Sequence, residues 1–129
     1  MSQYVETATK TFTAGGAIGP YLRVKLSGLK LAVAGIADGP GVELGTIEEE
    51  AFADGDVRAV RLRTAQGTRK VVAAGAIAVG AAVYTAANGK VNDVADSTSY
   101  LRGIALEEAT ADGDIIEIVD DWPMAAESG

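Results

Sequence analysis

At 129 residues with a net charge of -7, the chain is of single-domain size, and its surface repels phosphate backbones and anionic membranes. Hydrophobic residues make up 48% and aromatics only 5%, which argues against disorder but predicts a thin core of Ala, Val, Ile and Leu, supplemented by burial between subunits. With no Cys and no His, disulfides, thiolate zinc sites, a Cys nucleophile and a Ser-His-Asp triad are all excluded.

Residues 1–13 are polar and Thr-rich, with isolated Tyr4, Val5 and Phe12, and read as an N-terminal arm. No basic and apolar segment of a secretory signal stands there, and no apolar run reaches the ~18 residues of a membrane span. From residue 14 to 119 the glycines punctuate short apolar runs roughly every ten residues, the pattern of short strands and tight turns in one β domain. The predicted strands are 21–26, 30–34, 42–47, 57–63, 69–73, 82–85, 101–106 and 115–119. Val60 and Leu62 alternate with Arg61 and Arg63, the period of a strand. Asn88-Gly89, between Val83-Tyr84-Thr85 and Val91, predicts a type I′ hairpin turn, because both residues tolerate positive φ. Two short helix-like stretches, 46–53 (TIEEEAFA) and 106–111 (LEEATA), read as single turns or irregular loops. Residues 120–129 hold Trp122 and Pro123 and read as a C-terminal tail.

The sequence repeats itself. Residues 45–57 (GTIEEEAFADGDV) align with 103–115 (GIALEEATADGDI) at an offset of 58 without gaps, and Gly16-Ala17-Ile18 matches Gly75-Ala76-Ile77 at 59. Two pseudo-repeats, about 14–62 and 73–119, are expected to share one core and to be related by an approximate two-fold axis.

Few side chains suggest chemistry. The two Asp-Gly-Asp segments lack the ligand spacing of a calcium loop and read as turns leading into strands. The runs Glu48-Glu49-Glu50 and Glu107-Glu108 read as solvated charge rather than acid–base pairs. Gly15-Gly16-Ala17-Ile18-Gly19 lacks the Lys-Ser/Thr ending of a phosphate loop. No catalytic residue, metal or cofactor is expected, and the chain reads as no enzyme. The basic segment Arg58, Arg61, Arg63, Arg69 and Lys70 reads either as facing an acidic partner or as two strands facing each other across a hairpin, and as a nucleic-acid site it lacks interleaved aromatics. Trp122 is placed either as a lid on the core or as an interface anchor.

The second half resembles a known family. Val71 to Thr85 (VVAAGAIAVGAAVYT), then Asn88-Gly89-Lys90-Val91, Arg102-Gly103-Ile104-Ala105-Leu106 and Ala111-Asp112-Gly113-Asp114, is similar to the phage capsid decoration, or cement, proteins. The likeness is good over 69–119 and loose over 12–68; the first half departs at Leu29-Lys30-Leu31 and Gly39-Pro40-Gly41. It implies a compact all-β domain, β-clip- or β-tulip-like or a small barrel, with extended terminal arms. It also implies a virion protein, made in the host cytoplasm, on the outer capsid surface of a tailed phage. Such a protein would be a homotrimer with the major capsid protein as partner, and would bind neither nucleic acid nor membrane. Tyr4, Val5, Phe12, Arg61, Arg63, Arg69 and Trp122 are then the candidate capsid or subunit contacts. The competing reading is a small-molecule or carbohydrate-binding β module, which would need several convergent polar or aromatic side chains. A carboxylate hydrolase is a distant third.

Overall fold

The computed structural model describes residues 9–39, 42–63 and 67–120, and these form an all-β structure of two five-stranded antiparallel sheets. The first sheet holds β1 (Thr9–Thr13), β2 (Arg23–Ser27), β3 (Lys30–Val33), β4 (Glu43–Ile47) and β5 (Val57–Leu62) in the order β1-β5-β4-β2-β3. The second holds β6 (Thr68–Val72), β7 (Ala82–Thr85), β8 (Val91–Asn92), β9 (Leu101–Ala105) and β10 (Ile115–Asp120) in the order β6-β10-β9-β7-β8. Adding five to each strand number of the first sheet gives the second. Each sheet curls until its edge strands touch at one parallel bridge, Ala14 to Leu31 and Ala73 to Val91, yet neither closes into a barrel.

The repeated residues make repeated bonds. Ile18 exchanges backbone hydrogen bonds with Ala51, each 2.9 Å, and Ile77 does the same with Ala109. Asp56 Oδ2 accepts from the N–H of Phe52 and Ala53; Asp114 Oδ2 accepts from Thr110 and Ala111. Backbone N–H donors hold both carboxyls below the usual Asp range. Each Asp-Gly-Asp is therefore a turn whose last carboxylate ties the loop. The central Gly55 and Gly113 sit at φ near +98° and +97°, where a side chain would be strained. Lys30 to Asp54 and Lys90 to Asp112, both 2.7 Å, complete the parallel.

Gly45 and Gly103 match for a different reason: a Cβ at either would lie 2.0 Å from the carbonyl oxygen of Arg61 or Val119. The predicted hairpin is present. Asn88 and Gly89 have φ of 61° and 74°, and Lys90 N–H returns to the Ala87 carbonyl, as a type I′ turn requires.

Two features differ from the sequence reading. Residues 9–13 are not an arm: they pair with β5 from Thr9–Arg61 to Thr13–Val57, and Phe12 packs on the first core. Nor do the repeats share one core. Ala14, Ile18, Val24, Leu31, Ile47, Ala51 and Val60 form one cluster. Their counterparts Ala73, Ile77, Val83, Val91, Ala105, Ala109 and Ile118, with Val71 and Ile116, form another. Small side chains suffice because each curled sheet wraps its own interior.

Candidate interaction surfaces

The two cores meet through charge. Arg23 of β2 is buried, as are Glu43 of β4, Arg69 of β6 and Arg102 of β9. Glu43 Oε1 lies 3.1 Å from Arg23 Nη1 and 3.6 Å from Arg102 Nη1, and Oε2 lies 3.1 Å from Arg69 Nη2. Arg69 Nε in turn donates to Asp120 Oδ1 at 2.9 Å. Arg23 also crosses to the second repeat, giving Nη2 to the Ala86 carbonyl at 2.7 Å and Nε to that of Lys90 at 3.1 Å. Burial pulls the Arg102 guanidinium down to about 10 and lowers that of Arg23. Burial also pushes the Asp120 carboxyl up, against the pull of Arg69. Desolvated charges of this kind are costly unless their partners are in place, so removing any one partner strands the others.

Around this cluster the β7–β8 hairpin seats on the first repeat. Gly89 N–H donates to the Ala34 carbonyl at 2.8 Å, and Thr85 Oγ1 donates to that of Ile36 at 2.6 Å. A Cβ on Gly89 would meet Arg23, Val33 and Leu22 at 2.9–3.1 Å, so the close approach requires glycine. The contact is one-sided. Leu29, at the tip of the matching β2–β3 hairpin, is 94% exposed, and Ala82, which matches Arg23, is also exposed. A two-fold pair would bury both tips. The repeats instead meet head to tail, which corrects the expected two-fold relation.

The expected contact residues scatter. Tyr4, Val5 and Trp122 lie outside the described residues. Phe12 is half-buried against the first core. Arg69 is 3% exposed, pairs with Glu43 and Asp120 in the charged joint, and stands at the floor of the groove that Arg61 lines. Arg61 is half-buried and lines an open groove of about 350 Å³ with Tyr21, Glu48, Thr68, Lys70 and Glu117, where the Lys70 ammonium stands 5.7 Å from the Tyr21 ring centre. Arg63 borders a second depression of about 360 Å³ with Leu26, Val42, Glu43 and Leu44. A third, of about 400 Å³, lies over Gly15, Gly16, Ile18 and the β2–β3 hairpin. All three are open at the surface; the groove at Arg61 is lined by polar and charged side chains, and the other two mostly by apolar side chains and backbone.

The solvent face of the second sheet carries an apolar row beside the polar groove. Val119 pairs with Ile104, which pairs with Ala82, and all three are exposed, with Leu106 and Ile115 beside them. The same row in the first sheet reads Arg61, Thr46, Arg23. Sequence reading missed both this face and the buried joint. Arg23, Glu43 and Arg102 stand alone among apolar neighbours, and only the repeat register shows that they answer to Ala82, Leu101 and Leu44.

No family model and no curated protein matches the chain. Among solved structures it is similar to the N base of the head fiber gp8.5 of bacteriophage phi29. The TM-score is 0.69 at 22% identity, covering 88% of this chain and 92% of that one. At that identity the likeness is one of fold.

Proposed function

We propose that this chain is a structural component of a bacteriophage head: a decoration protein that binds the outer surface of the shell and stabilises it by bridging major capsid protein subunits. The observation that carries the reading is the paired-sheet fold, shared over 88% of the chain with the base of a phage head fiber. The build suits a mechanical role. Short strands, tied turns and a charged joint make a stiff body, and the depressions on it are open at the surface rather than enclosed. The protein acts as a homotrimer, so that several weak contacts per subunit combine into avidity. Shell stabilisation then follows from binding the assembled state and not its parts.

The test is re-addition. Purified protein is mixed with expanded shells lacking it, and binding and the melting temperature of the shells are measured. Binding with a raised melting temperature supports the proposal. Shells that neither bind the protein nor gain thermal resistance overturn it.

A further inference from the structure

The head-to-tail joint inside the chain leaves one half of itself unused at each end. In the first repeat the tip of the β2–β3 hairpin, the counterpart of the seated β7–β8 hairpin, projects into solvent with Leu29 94% and Leu26 46% exposed. In the second repeat the counterpart of the surface that receives a hairpin is open: Ala82 stands for Arg23, Val94 for Ala34 and Leu101 for Glu43. Val94 is 56% exposed and Ala82 is exposed, where Arg23 and Ala34 are buried.

The substitutions on the two open sides agree with each other. Inside the chain, Glu43 on the receiving side meets Arg102 on the seated side. In the open surfaces these positions are Leu101 and Leu44, both half-exposed. The Arg23 that grips the carbonyls of Ala86 and Lys90 becomes Ala82, and the tip it would grip carries Leu29 in place of Asn88 and Gly89. A polar joint inside the chain is thus matched by two surfaces that have both turned apolar, as an interface assembled from separate molecules requires at its centre.

We propose that copies of this chain join head to tail, the Leu29 hairpin tip of one copy seating on the Ala82–Val94–Leu101 surface of the next, in the arrangement by which the second repeat seats on the first. A heterologous contact of this kind closes into a ring when its rotation allows, here the ring of three in the reading above. The inference rests on the self-association in the reading above, and not on capsid binding.

The test uses the full chain and two exposed-site variants, Leu29→Asp, which spoils the tip, and Val94→Asp, which spoils the receiving surface. Both should keep the wild-type melting curve. Sedimentation should show the wild type as a closed ring of three, and each variant alone as a 13.1 kDa monomer. An equimolar mixture of the two variants retains one intact tip and one intact receiving surface, and should sediment as a heterodimer. A wild type that is monomeric at every concentration overturns the inference. So do variants that assemble like the wild type, or a mixture that stays monomeric. Wild-type protein that assembles this way but ignores shells would overturn the capsid reading alone. Protein that binds shells while the mixture fails to pair would overturn this inference alone.

Discussion

The two repeats differ least where they are dry and most where they meet. All seven residues of the first core have an apolar counterpart in the second, and the backbones of the two Asp-Gly-Asp turns bond alike. At the joint the copies part: Arg23 against Ala82, Glu43 against Leu101, Leu44 against Arg102. Core packing and turn geometry are dictated by the backbone, which the copies share. The joint is dictated by what lies across it, which differs for each copy. One scaffold thereby carries two different outer surfaces.

The sharpest way to break this comparison is at Glu43. Glu43→Ala leaves Arg23, Arg69 and Arg102 buried together, and should cost about 3–5 kcal/mol in urea denaturation. Leu101→Ala at the matching half-exposed position should cost about 1 kcal/mol. Equal losses would mean that the joint is not specialised. Next come the crossing points. Gly45→Ala and Gly103→Ala each drive a methyl group into a carbonyl oxygen, and should each cost about 3 kcal/mol, equal within error. A large inequality would show that the two sheets bear strain differently.

The hairpin tips should diverge more mildly. Gly89→Ala, at positive φ and against Arg23, should cost about 1–2 kcal/mol, while Leu29→Ala should stay within about 0.5 kcal/mol of wild type. Thermal melts decide this. The smallest effect is expected at Asp56→Ala and Asp114→Ala, with equal small losses. These carboxyls titrate lower in the folded protein than their ordinary value of 3.8, so their contribution is present above that value and is lost as pH falls through the folded one. Asp120 runs the other way: its raised carboxyl favours the folded state below 3.8, and that gain is lost as pH rises through its folded value. Melting curves between about pH 2 and 5 should therefore show the double turn variant less acid-sensitive than wild type.

Most of the strands were legible because glycine spacing and alternation report on local backbone. Eight predicted runs fall on β2 to β7, β9 and β10 within two residues, and the Asn88-Gly89 turn is where φ tolerance puts it. The strand β1 was not legible: Thr9-Lys10-Thr11-Phe12-Thr13 is an edge strand with one apolar residue, and its partner β5 lies more than forty residues on. The repeat was visible in identities at 45–57 and 103–115, but how the copies pack was not, because identities mark what is shared and the joint is built from what is not. Arg69 misled for the same reason. It sits in a run of basic residues and reads as surface, yet Glu43, 26 residues earlier in the chain, draws it inside.

The order of strands in the first sheet bears on how the chain is made. Every strand of that sheet comes from residues 9–62, so it can close, core included, before the second repeat has left the ribosome. Until then its unfinished side shows solvent an ion pair, Arg23 with Glu43, where most unfinished domains show bare hydrocarbon. A half-synthesised chain would therefore be soluble while it waits, and the joint drawn in charge serves the nascent protein before it serves the finished one.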